Sequence, residues 1–315
     1  MRIWQIIPPT AVVNSVVEFC LLHHVALLWP GDSGRWTPDY HVDNFAESDW
    51  LKWFADTMSV GDAILLRTGE TRIRAVGLVA SDYCYEDRFD DVHGFDLQHC
   101  RRVRWCRLPE EYDFGTSVFT KGRLSRVRTM PVHDYVQAFL AAPPTHWQTT
   151  PLPPLPPEEP PLLDEVPEAL RGIVGQAQDM TALYRDGQNF GDSPMEDELV
   201  AHLVVPFLRA LGWRPEQIAV KWQRIDVSLF SRLPRTRENC HLVIEAKRLG
   251  AGVEGALEQA RRYVTTLGVP RDVMVTDGIR YRLYSAAQDF APAAYANLVR
   301  LKQSSINLFN RIKRP

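Results

Sequence analysis

Residues 224–247 read RIDVSLFSRLPRTRENCHLVIEAK, and two apolar runs within them decide the fold. Ile225-Asp-Val-Ser-Leu-Phe230 and Leu242-Val-Ile-Glu-Ala-Lys247 are short and rich in branched residues, a pattern that predicts two strands. Side chains alternate along a strand, so Glu245 and Lys247 project to one face while Ala246 turns into the opposite layer. Pairing of the two strands brings Asp226 beside them. An apolar strand that ends in Glu-x-Lys, preceded by a strand that carries Asp, is far more specific than a lone Glu-x-Lys.

Around this pair the spacing predicts helices. Residues 163–184 read as a helix ended by Asp186-Gly187. Residues 196–211 place Val200, Leu203, Val204, Phe207, Leu208 and Leu211 on one face. A third amphipathic helix is expected over 253–267, with strands at 273–276 and 280–284. The order of helix, strand, strand, helix and strand predicts α/β packing, with helices covering a mixed sheet.

Phosphodiester hydrolysis needs a nucleophilic water, charge relief at the phosphate, and help for the leaving oxygen. Divalent cations held by carboxylates supply much of this. Magnesium prefers oxygen ligands and keeps several waters, so one or two carboxylates on rigid strands suffice. A nearby lysine orients or deprotonates the attacking water and stabilises developing charge. Asp226, Glu245 and Lys247 form such a set.

The stretch 196–284 resembles the N-terminal nuclease domain of type I restriction motor subunits and of related stand-alone proteins, the PD-(D/E)xK nucleases. The pieces that carry the resemblance are Pro206-Phe-Leu-Arg-Ala-Leu-Gly-Trp213, Arg224-Ile-Asp226, Val243-Ile-Glu-Ala-Lys-Arg248, Gln259-Ala-Arg-Arg-Tyr263 and Val275-Thr-Asp-Gly278. It implies a restriction-endonuclease-like mixed sheet flanked by helices. It also implies Asp226 and Glu245 as ligands of Mg2+ (with Mn2+ as a substitute) and Lys247 as catalytic base or stabiliser. Gln259 and Tyr263 match a Q-x-x-x-Y motif of that family. They lie one helical turn apart and share a face, although polar positions on an ordinary helix read the same way. Glu196 continues the apolar face of its helix, four residues before Val200, and corresponds to a glutamate that often helps to hold metal in these nucleases.

Residues 143–161, PPTHWQTTPLPPLPPEEPP, divide the chain. So many prolines leave few backbone donors and favour an extended, semi-rigid spacer. The organisation expected is therefore residues 1–142, a Pro-rich linker at 143–161, and residues 162–315.

The first part is expected to be rich in strands. Ala63–Arg67 and 72–80 flank a Thr-Gly-Glu-Thr turn as in a hairpin, and 100–107 alternates basic residues with Val103 and Trp105. Val60-Gly-Asp-Ala-Ile-Leu-Leu-Arg67, Arg74-Ala-Val-Gly-Leu-Val79, Tyr83-Cys-Tyr85 and His99-Cys-Arg-Arg-Val-Arg-Trp105 resemble the EVE/PUA-like β-barrel, in the version fused to nucleases in Mrr-like restriction proteins. Trp29-Pro-Gly31 with Trp36 and Tyr40 fits the aromatic pocket segment of that group. The resemblance implies a reader of nucleic acid in which a flipped modified base stacks on aromatic faces. Trp29, Trp36, Tyr40 and Tyr83 are the cage candidates, with Asp82 as a base-edge partner and Arg101, Arg102 and Arg104 as contacts to the DNA backbone. Core packing for the aromatic residues, and a solvated strand face for the arginines, are the alternatives.

Bulk properties limit the choices. A formal net charge of −3 excludes a chain that coats nucleic acid by charge alone, so any such site is a local patch. Five cysteines at irregular spacings show no paired zinc pattern and no disulfide framework, as expected of a cytoplasmic protein. No run of about 18 apolar residues exists, so no membrane span is expected. No G-x-x-x-x-G-K-[ST] loop is present, so no nucleotide triphosphate is expected to bind. The tail beyond residue 291 carries Arg300, Lys302, Arg311, Lys313 and Arg314 without an acidic residue, and reads as a solvated helix or a DNA-backbone contact.

The expectation is a two-domain, α+β, modification-dependent (type IV-like) restriction endonuclease of phage defence. Cutting both strands needs two active sites, so a homodimer is expected. Two alternatives stay open: a non-catalytic nucleic-acid sensor that recruits another effector, and a nuclease directed at RNA.

Overall fold

A computed structural model describes residues 1–9, 13–29, 31, 34–38, 49–159, 162, 164, 166–185, 194–249, 253–268 and 271–314. The chain forms two compact units, Met1–Glu158 and Glu159–Pro315. Each has its own mixed sheet and helices, an α+β architecture.

Unit 1 contains β1 (Ile3–Ile6), α1 (Val13–His23), β2 (Val25–Leu28), α2 (Trp50–Lys52) continued by a π-helical turn (Trp53–Thr57), β3 (Ala63–Arg67), β4 (Arg72–Val79), β5 (Cys84–Tyr85), β6 (His99–Asp113), β7 (Leu124–Arg126) and α3 (Met130–Ala141). The strands form one curled half-barrel in the order β2-β6-β4-β3-β1-β7, with β5 also paired to β6. Among the described strands of this unit only β1 and β3 pair in parallel; the expected β3–β4 hairpin pairs antiparallel. β1 and β3 are buried along their whole length.

Part of the Pro-rich stretch lies against unit 1. Prolines lack N–H donors but keep their carbonyls, and arginines of the sheet use them. Arg88 Nη1 donates to Pro156 O at 2.7 Å, and Arg102 Nη2 donates to Pro153 O. Leu155 packs on the unit's core.

Unit 2 begins with α4 (Glu168–Arg185) and a helical run made of α5 (Glu196–Leu199), a π-helical turn (Val200–Val204) and α6 (Val205–Ala210). Pro206 cannot donate the next intrahelical bond, and the widened turn lies just where that bond is missing. The run ends at Gly212 (φ 91°), with Trp213 N bonded to Leu208 O and Gly212 N to Arg209 O. These two bonds make a Schellman cap, which explains the Leu-Gly-Trp of the sequence.

Strands β8 (Ile218–Val220), β9 (Val227–Phe230), β10 (Cys240–Ala246), β11 (Asp272–Thr276), β12 (Arg280–Ser285) and β13 (Ala291–Asn297) form a six-stranded sheet in the order β13-β12-β11-β10-β9-β8. β10 and β11 run parallel, joined by the crossover helix α7 (Leu257–Leu267), while β9 and β10 are antiparallel. One face of the sheet, including Leu242, Ile244 and Ala246, packs on α4, the run 196–211 and α8 (Gln303–Ile312). The other, including Val243 and Val275, packs on Ala260, Val264 and Leu267 of α7. β13 lacks a strong apolar alternation, so nothing in 291–297 announced it. α8 is not merely solvated, because it buries Leu308, Phe309 and Ile312.

Candidate functional site

Asp226 stands immediately before β9, and Glu245 and Lys247 stand at the end of β10. The antiparallel register pairs Ile244 with Val227, and this brings the three side chains together. Glu245 is only 1% exposed, an expensive place for a carboxylate without compensation. Its Oε1 accepts from Lys247 Nζ at 2.7 Å, while its Oε2 is buried with no hydrogen-bond partner. Burial pushes the Glu245 carboxyl up to about 7; the Lys247 hydrogen bond works in the opposite direction, and the charge of Asp226 beside it adds to the rise.

Asp226 is buried and held at both oxygens. Oδ2 accepts from the Ala246 amide at 2.8 Å, a bond across the two strands that fixes the carboxylate to β10. Oδ1 accepts from Lys221 Nζ at 2.7 Å, and the same ammonium lies 2.8 Å from Asp197 Oδ1. Hydrogen bonds that Lys221 donates to Asp197 and then to Asp226 hold it protonated well above the ordinary lysine range.

Helix α7 supplies the second layer. Lys247 Nζ donates to Gln259 Oε1 at 3.1 Å, and Gln259 Nε2 in turn donates to Tyr263 Oη at 3.1 Å. The amide of Gln259 thus reads both partners, with its oxygen toward the lysine and its nitrogen toward the tyrosine. Glu196 Oε1 lies 4.0 Å from Lys247 Nζ, at the rim of the cluster. The structure brings Asp226, Glu245, Lys247, Gln259, Tyr263 and Glu196 into one neighbourhood.

The Thr276-Asp277-Gly278 segment is a turn. Asp277 Oδ1 accepts the amides of Ile279 and Arg280, and Arg280 Nη1 donates to Asp277 Oδ2 at 3.1 Å. Gly278 (φ 85°) lies where an added Cβ would come within 2.8 Å of Leu203 Cδ1. This closes β11 against the helical run.

The donor set suits a small divalent cation. Two adjoining carboxylates, one with a buried oxygen lacking a partner, offer oxygen ligands to a hard ion. Among the described residues no group of three or more His, Cys, Asp or Glu converges on a metal position.

Sequence reasoning missed Lys221 and Asp197. Lys221 (φ 56°, ψ 27°) and Gln223 (φ 51°, ψ 35°) adopt left-handed backbone, and Arg224 also has positive φ (70°). These residue types do not announce that conformation, whereas Gly or Asn would have done so.

In unit 1 the expected site residues divide between a Trp36–Tyr83 contact and arginines engaged by backbone carbonyls. Arg101 is 2% exposed, and its guanidinium donates to Phe54 O (2.6 Å), Ala55 O (2.8 Å) and Ser81 O (2.9 Å). It pins the 53–57 turn to the sheet and does not face outward. Arg102 donates to Pro153 O, and Arg104 to Thr150 O, so both are tied to the Pro-rich stretch instead of forming a free basic face.

Trp29 meets Trp50 edge to face at 5.6 Å, with the Arg123 guanidinium 3.8 Å from its ring centre. Trp36 N donates to Tyr83 Oη at 3.0 Å, and that hydroxyl also pairs with His99 Nδ1 at 2.8 Å. Asp82 is exposed, and Tyr40 lies outside the described residues. A cleft of about 610 Å³ is lined instead by Trp4, Trp50 and Trp53 with Arg2, Lys121, Arg126 and Arg128 among its neighbours. Trp50 and Trp53 had carried no functional expectation.

A family described as a domain of unknown function (DUF8426) matches residues 35–125. No curated protein matches. Among solved structures, a fragment described as an HsdR subunit of a type I restriction enzyme from Vibrio vulnificus YJ016 is similar at 20% identity and a TM-score of 0.26. That likeness covers 38% of this chain and 25% of that chain. No helix among the described residues is long and apolar enough to cross a membrane.

Proposed function

We propose that unit 2 is a metal-dependent nuclease that hydrolyses DNA phosphodiester bonds, and that unit 1 reads a modified base, as in a type IV-like restriction enzyme. The observation that carries the first part is the Asp226–Glu245–Lys247 cluster, with one buried Glu245 oxygen left without a partner. A fold has no structural need for such an oxygen, because an unpaired buried acceptor costs stability. Asp226 and Glu245 would hold Mg2+ or Mn2+, which when bound supplies charge relief at the phosphate and activates water.

The chain's own groups do the rest. Lys247 presents an ammonium beside Glu245, where it stabilises negative charge on the attacking water and the phosphate. Gln259, anchored through Tyr263, keeps that ammonium from swinging away. Glu196 adds negative charge at the rim of the cluster.

For unit 1 the support is the cleft of tryptophans and basic side chains. Aromatic faces stack on an extruded base, and arginines pair with phosphates. Cutting both DNA strands would call for two copies of the site, hence a homodimer.

The test is Mg2+-dependent cleavage of matched plasmids carrying unmodified, methylated, hydroxymethylated or glucosylated bases, with Lys247→Ala as control. Cutting of one modified plasmid alone, lost in the variant, is the expected result. Cutting of all plasmids alike would remove the modified-base part. Cutting undiminished in the variant would remove the catalytic assignment, and cleavage of structured RNA alone would change the substrate.

A further inference from the structure

We infer that Lys221 is a built-in counter-cation for Asp226, which a divalent ion must displace, and that Asp197 receives the displaced ammonium. The inference rests on the metal-dependent reading of the site. Asp226 Oδ2 is taken by the Ala246 amide, and Lys221 Nζ sits 2.7 Å from Oδ1, the oxygen with no backbone donor. A divalent ion bound at about 2.1 Å from that oxygen and an ammonium hydrogen-bonded to it would crowd two positive charges together. Asp197 Oδ1, already 2.8 Å from the same nitrogen, is a second station that the ammonium can keep while leaving the first.

Exposure divides the three groups as such a device requires. The Asp226 side chain is 8% exposed and fixed, whereas those of Lys221 and Asp197 are 46% and 72% exposed and have room to move. The backbone points the same way. Three of the four residues from Lys221 to Arg224 have positive φ, none of them glycine. Lys221 N donates to Asp226 O at 3.0 Å and closes this turn over the site. An ordinary surface ion pair needs no strained backbone, and strain of this kind collects where a side chain must be placed for function. The arrangement sets a threshold: the carboxylates accept a metal only where the ion outcompetes the lysine.

The experiment is Mn2+ titration of the full chain, followed by the paramagnetic resonance signal of free Mn2+. Wild type is compared with Lys221→Met, Lys221→Gln, Asp197→Asn and Asp226→Asn. Both Lys221 variants are expected to bind Mn2+ roughly fivefold to tenfold more tightly, the weight of a half-exposed ion pair. Asp197→Asn is expected to weaken binding roughly twofold to threefold, because the displaced ammonium loses its anionic partner. Asp226→Asn is expected to abolish it. Binding that depends on Asp226 yet is unchanged or weaker in both Lys221 variants would overturn the inference and leave the metal site standing. Binding absent from wild type and the Lys221 variants alike, or insensitive to Asp226→Asn, would overturn the metal-dependent reading and the inference together.

Discussion

Unit 1 and unit 2 both bury charge, and they treat it in opposite ways. Arg101 and Arg67 of unit 1 are sunk in the sheet with their donors directed at neighbouring acceptors. Arg101 reaches three carbonyls, while Arg67 reaches Gln5 Oε1, Gly69 O and Thr120 O and lies over the Phe119 ring. In unit 2, Asp226, Glu245 and Lys247 are turned toward one another, with a buried carboxylate oxygen left over. Donors spent on fixed acceptors mark a brace, and an unpartnered acceptor in a buried cluster of charges marks a place prepared for something else. Unit 2 contains the control as well: the buried Asp277–Arg280 pair closes a turn, and both Asp277 oxygens accept bonds there.

The sharpest way to break this contrast is to truncate one residue of each kind. Asp226→Ala and Lys247→Ala are expected to lower DNA cleavage by roughly a hundredfold or more while the protein stays folded, as read by plasmid cleavage beside thermal melting. Arg101→Ala is expected to do the reverse. It strips three carbonyls, one of them buried, of their donor and costs about 3 kcal/mol by denaturant unfolding. An Arg101→Ala protein as stable as wild type but weakened in DNA binding would return Arg101 to the phosphate-contact role.

A subtler comparison is stability against pH for metal-free wild type and Glu245→Gln. The Glu245 carboxyl is raised to about 7 in the folded chain, against about 4.3 when unfolded. The folded state therefore holds that proton more tightly. Its stabilisation is complete below about pH 4 and is lost as pH rises toward about 7. Wild type should melt near the glutamine variant in acid and fall below it above neutrality. Parallel melting curves across that range would show that Lys247 fully compensates the buried charge.

The smallest effect concerns the turn beside Asp226. Gln223→Gly is expected to stabilise by up to about 1 kcal/mol, because glycine adopts left-handed backbone without strain. The same change should leave the fold of unit 1 untouched.

The strand pair 225–230 and 242–247 was legible because apolar runs ending in charge have few other readings, and helix 253–267 because its apolar period is strong. Edges were less legible. β8 spans only three residues, and β13 begins with Ala-Pro-Ala-Ala, too weakly apolar to be read as a strand. The arginine run at 101–104 misled for a clear reason. Strand alternation says which side chains share a face, but not whether another segment covers that face. Residues 53–57 engage Arg101 on one face, and Thr150 and Pro153 engage Arg104 and Arg102 on the other.

By itself the sequence determined the α+β character, the two sheet-forming parts and the chemical inventory of Asp226, Glu245, Lys247, Gln259 and Tyr263. These follow from local periodicity and side-chain alternation, which neighbouring residues already contain. Tertiary structure decided the atom-to-atom contacts that the expected Asp226–Glu245–Lys247 grouping left open. The β9–β10 register joined Asp226 to the Ala246 amide, helix α7 placed Gln259 against Lys247, and a left-handed turn laid Lys221 on Asp226. Such meetings depend on distances between segments far apart in the chain, and periodicity along the chain does not encode those distances.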